Sequence, residues 1–278
     1  MSVEDNKGVN RKVHWQSHQS SNAEMPENTL AAILDAWELG GIPEVDIRQT
    51  MDGVIIGMHD ETPKRTTSAP AADQDRLISE CTFEQVQTWD AGVKFSAKYR
   101  GERVPSLEEV LVILTRHPER ELYLDYKQVD LEKLAELVQQ YGVGKQIIFC
   151  HKDHENCKAI KRLAPEIRTM LWIPDGETAR SFEAARASGF EALDIIQLHL
   201  KDAEGDEGWR YKLGKDYLQH VQEQLTEAGL ELEVLPFYFD QSSMFRLLDI
   251  GIRRFAVDEP RVFVATLNDY DFDKASFI

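Results

Sequence analysis

Cysteine is scarce in this chain. Its 278 residues include three, Cys81, Cys150 and Cys157, an odd count with no Cys-x-x-Cys spacing. That argues against a disulfide framework and for free or buried thiols in a reducing compartment. Positive charge is also short. There are 32 Lys and Arg against 49 Asp and Glu, a formal net charge of -17. A groove that tracks nucleic-acid phosphates needs clustered cations, as does electrostatic docking on anionic membranes, so neither partner is expected. Long apolar runs are missing too: none approaches the roughly 20 residues of a membrane-spanning helix. Residues 1–11 are polar and expected to be frayed, and the opening MSVEDNKGVNRK lacks the apolar core of a signal peptide. A cytoplasmic location is the expectation; a periplasmic or secreted one would follow if a signal peptide had been removed from this chain. No linker, repeat or low-complexity segment divides the sequence, so one domain over residues 1–278 is expected. Oligomeric state is left open.

What is present is a regular alternation. Apolar or β-branched runs occur near Val13–His18, Glu44–Arg48, Val54–His59, Glu121–Lys127, Gln146–Cys150, Arg168–Ile173, Ala192–Leu198, Leu232–Phe239 and Arg254–Asp258. Helix-like segments lie between most of them. Leu30–Leu39, Leu131–Tyr141, Ala179–Ser188, Tyr217–Ala228 and Ser242–Ile250 are each followed by glycine, which supplies the left-handed helix stop. Strands alternating with helices argue for a parallel sheet, and the length suits an α/β barrel. Nine runs are one too many for a (β/α)₈ TIM barrel. Only Gln49–Gly53 separates the second and third, too short for a parallel crossover, and it contains the turn pair Asp52-Gly53. Those two runs are therefore expected to form an antiparallel β-hairpin after the second strand, which leaves eight barrel strands. A loop-rich insertion of about residues 61–105 should cover one mouth.

The residues able to do chemistry fall at strand ends, where active sites of such barrels gather. His18 ends the first run and His59 the third. Glu44 and Asp46, two apart, share a strand face, and Asp125 and Lys127 repeat that spacing on the fourth run. Three carboxylates from two strands make an oxygen-rich site for a hard divalent ion such as Mg²⁺ or Ca²⁺. Taken singly, each carboxylate reads as a surface or ion-paired group and each histidine as structural. The shared face is what favours the functional reading.

The same residues resemble the signature of the glycerophosphodiester phosphodiesterase family. The matching pieces are His18-Gln19, Pro26-Glu27-Asn28-Thr29, Glu44-Val45-Asp46, Thr50-Met51-Asp52-Gly53 and His59-Asp60. Further matches are Arg65-Thr66-Thr67, Asp90-Ala91-Gly92 with Phe95, Val104-Pro105-Ser106-Leu107-Glu108-Glu109, Asp125-Tyr126-Lys127 and Val257-Asp258-Glu259-Pro260. The match is strong over about residues 13–127 and looser to about 264. It implies a (β/α)₈ barrel with a small insertion and hydrolysis of glycerophosphodiesters to glycerol 3-phosphate and an alcohol. It also implies a divalent metal (Mg or Ca, with Mn as a third candidate) held by Glu44, Asp46 and Asp125. His18 and His59 would be general acid and base, and Gln19, Lys127 and Phe95 would contact a small-molecule phosphodiester. The glycerol 2-hydroxyl would attack phosphorus to give a cyclic phosphate that water then opens.

Three departures matter. Gln19 stands where the family has arginine, a residue suited to bidentate phosphate contact. Losing one preorganised charge contact costs on the order of 10²–10³ in rate if nothing replaces it. Three outcomes are open: compensation by Lys64 or Arg65, a changed substrate, or a barrel that binds without turnover. Asp125 replaces a glutamate and is one methylene shorter. Pro236-Phe237-Tyr238 replaces a Trp-Thr-x-Asn pattern on the leaving-group side.

Other clusters carry weaker signals. His151 and His154 are three apart and read as a polar loop opening a helix. His14 is expected low in the barrel core, and Asp202–Glu207 as a solvated loop. Trp89, Phe95 and Tyr99 could cap a substrate, and packing of the insertion onto the barrel explains most of the set equally well.

Overall fold

The computed structural model describes residues 12–203 and 208–272. The polar N-terminal stretch and residues 204–207 of the acidic run lie outside them.

The elements follow in the expected order. They are β1 (His14–Ser17), α1 (Leu30–Glu38), β2 (Ile42–Gln49), β3 (Ile55–Gly57), α2 (Phe83–Gln87), α3 (Leu107–Arg116), β4 (Leu122–Gln128) and α4 (Leu131–Tyr141). Then come β5 (Ile147–His151), α5 (His154–Leu163), β6 (Arg168–Ile173), α6 (Thr178–Ala187), β7 (Ile195–Leu200), α7 (Lys215–Glu227), β8 (Glu231–Pro236), α8 (Gln241–Asp249), β9 (Arg254–Val257) and α9 (Pro260–Asn268). The sheet order is β1-β9-β8-β7-β6-β5-β4-β2-β3, and β1 also pairs with β2. Every pairing but one is parallel, so the strands other than β3 close into a (β/α)₈ TIM barrel.

β3 is the exception, and it forms the expected hairpin. It pairs antiparallel with Ile47–Gln49 at the end of β2. At Ile47 and Arg48 the other edge of β2 is already taken by β4. β3 therefore occupies the edge that β1 leaves free above Ser17.

Strand alternation sorts the core. Val45 and Ile47 of β2, Leu122 and Leu124 of β4, and Ile196 and Leu198 of β7 face outward into the apolar layer shared with the helices. The residues between them face the lumen, where Ile42, Tyr123, Ile148, Cys150, Met170 and Ile195 form a small apolar plug. Polar side chains fill the rest of the lumen, which sets up the site below.

Helix starts explain several of the sequence motifs. Ser106 and Glu109 form a capping box that opens α3, and Thr29 caps α1. Gly142 stops α4 at φ 66°, a left-handed conformation that glycine adopts without steric cost. Four helices, α2, α3, α5 and α9, lie outside the helical ranges expected from the sequence. For α5 the polar segment His151–Glu155 opens a helix, as expected, with Asp153 as its cap. The insertion has its own core of Ile56, Met58, Ile78, Val86, Trp89 and Val104. Asp90 organises its loop by accepting from the backbone N–H groups of Gly92, Val93 and Gly101 at 2.9, 2.8 and 2.7 Å.

Candidate active site

Glu44 and Asp46 come from β2 and Asp125 from β4, all on lumen-facing positions. The parallel register sets Asp46 opposite Asp125. One oxygen of each carboxylate lies within 4.8 Å of the others, and all three residues are buried. Each is held from a different direction. Asn28 Nδ2 donates to Asp46 Oδ2 at 2.8 Å, and Asp46 N donates back to Asn28 Oδ1 at 2.8 Å. Gln19 N donates to Glu44 Oε2 at 2.6 Å. Trp172 Nε1 donates to Asp125 Oδ1 at 3.2 Å. Lys127 Nζ donates to Asp125 Oδ2 at 2.7 Å and lies 3.1 Å from Asp46 Oδ1.

This set fits a divalent cation. Three carboxylates and one lysine leave two negative charges in a buried space. Asp46 Oδ1 is buried with no aligned hydrogen-bond donor, although the lysine charge is near it. Burial, reinforced by the neighbouring Asp46, holds the Glu44 carboxyl above its ordinary range; burial does the same to Asp125. Hard oxygen donors in surplus negative charge are what Mg²⁺, Ca²⁺ or Mn²⁺ require. Among the described residues this is the one group of His, Cys, Asp and Glu with ligand atoms so close.

Two histidines share the cavity with these carboxylates. It has a volume of about 180 Å³ and is also lined by Gln19 and Lys127. His18 follows β1 directly, and its Nδ1 bonds Asp258 Oδ1 at 2.7 Å. Burial alone would lower its pKa, but the Asp258 bond and the charges of Glu44, Asp258 and Asp46 outweigh it and raise His18 to about 9. His59 Nδ1 bonds Asp60 Oδ1 at 2.9 Å. Asp60 also accepts from Arg65 Nε at 2.7 Å, and this bond is the main reason its pKa falls to about 2.

The chain from β1 to α1 is unusual. Gln19, Ser20 and Ser21 have φ of 47, 54 and 73°, and Asn28 has 56°. Consecutive left-handed residues without glycine cost on the order of 1 kcal/mol each. The turn aims the Gln19 N–H at Glu44 and lets Ser20 Oγ donate to the Glu44 carbonyl at 2.7 Å.

Six of the eight residues singled out in the sequence line this cavity, and Asp46 belongs to the carboxylate set beside it. Phe95 stands apart. It is 42 % exposed and lines a neighbouring cavity of about 210 Å³ with Asn22, Arg65 and Lys94. Arg65 and Lys64 do not stand in for the missing arginine. Arg65 Nη1 and Nη2 grip Glu27 at 2.6 and 2.7 Å, and Lys64 pairs with Asp75 at 2.8 Å. The Gln19 side chain accepts from Asn22 Nδ2 at 2.7 Å. His151 and His154 stay apart from the cluster: His151 Nδ1 takes part in a bond with Asn156 Nδ2 at 2.9 Å and His154 Nε2 bonds the Glu191 carbonyl at 2.6 Å.

Sequence reasoning missed Asn28 and Asp258 as partners of site residues, although both sit inside quoted motifs. It also missed Trp172, Gln197 and His199. Strand parity would have placed these three in the lumen, since they alternate with the outward Leu171, Ile173 and Leu198.

Fold and site together define a (β/α)₈ barrel with a buried carboxylate set suited to a divalent ion and two carboxylate-bound histidines at its C-terminal mouth. The chain belongs to the glycerophosphoryl diester phosphodiesterase family, whose profile matches residues 18–262. It is 32 % identical over 163 residues to a glycerophosphodiester phosphodiesterase of Caldanaerobacter subterraneus subsp. tengcongensis, a stretch covering 56 % of this chain and 64 % of that protein. A Bacillus subtilis glycerophosphodiester phosphodiesterase is 26 % identical over 266 residues, 89 % of this chain and 84 % of that one. In structure, a glycerophosphodiester phosphodiesterase from Agrobacterium tumefaciens superposes with a TM-score of 0.72 at 24 % identity, covering 91 % of this chain and 99 % of that one. An Oleispira antarctica phosphodiesterase in complex with the product sn-glycerol-3-phosphate gives 0.70 at 21 % identity, covering 92 % and 97 %. At these identities the superpositions speak for the fold.

Proposed function

We propose that the protein hydrolyses small glycerophosphodiesters to sn-glycerol 3-phosphate and an alcohol. The observation that carries this reading is the pair of histidines. Each is tied through Nδ1 to its own carboxylate, and both line the cavity that Glu44 and Asp125 also line. Family membership and the product named for the Oleispira protein support the substrate class.

Glu44, Asp46 and Asp125 would hold a divalent ion, which when bound polarises the phosphoryl oxygens and eases deprotonation of a nearby hydroxyl. Lys127 supplies the positive charge that draws the phosphate. His18 acts as general acid, its imidazolium held by the Nδ1 bond to Asp258. His59 acts as base. It takes the proton of the glycerol 2-hydroxyl as that oxygen bonds phosphorus. The alkoxide of the alcohol leaves with the proton of His18. In the second half neutral His18 takes a proton from water, the water oxygen bonds phosphorus, and His59 returns its proton to the departing 2-oxygen. Both histidines end as they began.

A second reading rests on Gln19: with a neutral side chain there and Arg65 committed to Glu27, the site suits a changed substrate or weaker turnover. The test is hydrolysis of glycerophosphocholine and bis(p-nitrophenyl) phosphate with Mg²⁺, Ca²⁺ or Mn²⁺. Release of glycerol 3-phosphate from the first is expected. No turnover with any ion, on folded protein, would sink the proposal.

A further inference from the structure

A hydrogen-bond relay climbs the barrel lumen from its base to the candidate site, and its direction is dictated by donor chemistry. Arg254, at the base on β9, can only donate. Its Nη2 donates to Tyr123 Oη at 2.8 Å, so the Tyr123 hydroxyl hydrogen is free to go to Glu233 Oε2 at 2.5 Å. Glu233 Oε1 then faces Gln197 Nε2 at 2.6 Å. The amide nitrogen must point that way, since an amide oxygen there would meet a carboxylate oxygen. The same nitrogen donates to Gln16 Oε1 at 3.0 Å. Gln197 Oε1 is therefore the acceptor left for His199 Nε2, 3.1 Å away. His199 must carry its proton on Nε2, which leaves Nδ1 as a lone pair.

The ring is also fixed in plane. Trp172 stacks on it at 5.3 Å and 6°, and Phe237 meets it edge-on at 5.3 Å and 87°. Burial, aided by the charge of His18, lowers its pKa to about 4, so the ring stays neutral. His199 lines the same cavity as the two catalytic candidates. Of the other acceptors there, His59 is taken as the base of the reaction. Gln16 Oε1 and Gln19 Oε1 already accept hydrogen bonds, and the three carboxylates form the ion set.

We propose that His199 is a substrate-positioning residue whose Nδ1 accepts a hydrogen bond from a hydroxyl of the glycerol moiety. This rests on the reading of the site as one for glycerophosphodiesters. The role differs from that of His18 and His59, since His199 moves no proton. It makes the site discriminate between a polyol phosphate and an alkyl phosphate of the same size. Losing the acceptor costs one hydrogen bond to a neutral group, about tenfold in affinity at most.

The test uses the Mg²⁺-loaded protein with sn-glycerol 3-phosphate and n-propyl phosphate, neither of which the reaction consumes. Nitrogen-15 NMR is expected to show His199 Nδ1 unprotonated at neutral pH. That resonance is expected to move on adding glycerol 3-phosphate and to stay on adding propyl phosphate. His199→Phe keeps an aromatic ring against Trp172 but removes the acceptor. It should weaken glycerol 3-phosphate about tenfold and propyl phosphate less than twofold. His199→Asn, which returns an acceptor near the Nδ1 position, should recover most of the loss. A protonated Nδ1, no binding of glycerol 3-phosphate, or an equal loss for both phosphates would overturn the proposal; the last would show a structural role through Trp172 and Asp125. Hydrolysis of glycerophosphocholine is scored separately. A silent hydrolysis assay with a responding Nδ1 would refute the enzymatic reading and leave this one standing. Turnover with an unresponsive Nδ1 would do the reverse.

Discussion

Replacing Asp258 by asparagine isolates what holds His18 protonated. The side chain keeps its shape, and the bond to His18 Nδ1, 2.7 Å in length, loses its charge. His18 stands at about 9 against an ordinary 6.5, a difference of roughly 3 kcal/mol. Part of that comes from Glu44 and Asp46, which a bound ion offsets. The Asp258 bond is the first of the raising causes, and losing a charged hydrogen-bond partner is worth ~1–2 kcal/mol, or about one pH unit. If His18 donates the proton to the leaving alcohol, the alkaline limb of kcat/KM reports its ionisation. Asp258→Asn should move that limb to lower pH by about one unit. A pH–rate profile with glycerophosphocholine and Mg²⁺, from pH 5 to about 10, reads this directly. Stability must follow the same sign. A histidine whose folded pKa is raised contributes stability that is full below 6.5 and lost as pH rises through about 9. The wild type should lose thermal stability across that window in the ion-free state, and the variant should lose less of it. A rate that drops equally at every pH, with the limb in place, would refute the assignment of His18 as acid.

Other outcomes follow from the same geometry. Because burial raises the Glu44 and Asp125 pKa values, ion-free protein should lose stability as pH rises above the ordinary carboxylate range; Mg²⁺ or Mn²⁺ should raise Tm more at pH 8 than at pH 5.5, by thermal melts. Gln19→Arg restores a phosphate-matching fork beside His18 and should raise kcat/KM for glycerophosphocholine by about tenfold or more; a fall would show that glutamine suits a different substrate. Arg65→Ala frees Asp60 and should lower kcat about tenfold with KM little changed, whereas a raised KM alone would mark Arg65 as a phosphate contact. Asn28→Ala removes both bonds to buried Asp46 and should cost roughly 1–3 kcal/mol in urea unfolding, with weaker Mn²⁺ binding by calorimetry.

Much of the architecture could be read locally. Each of the nine apolar runs became a strand, and the short Gln49–Gly53 turn was enough to establish the hairpin. Glu44 with Asp46 and Asp125 with Lys127 were found by parity, because i and i+2 share a strand face whatever the fold. The helices α2, α3, α5 and α9 were given no range; Thr82, Ser106 and Asp153 cap the first three, and Pro260 opens the last. Phe95 was drawn to the site by motif, yet it lies beside Arg65 in the adjoining cavity.

The sequence by itself determined the period of every strand, the identity of the carboxylates and histidines, and the neutral residue beside His18. These are local properties, set by side-chain chemistry and spacing. Only the closed barrel decided which of them meet. Asp258 reaches His18 across 240 positions because β9 and β1 are neighbours in the closed sheet. Arg65 is drawn away by Glu27, 38 positions earlier, and His199 receives its tautomer from a carboxylate at the other end of the lumen. Such pairings depend on register and closure, and no window along the chain contains both partners.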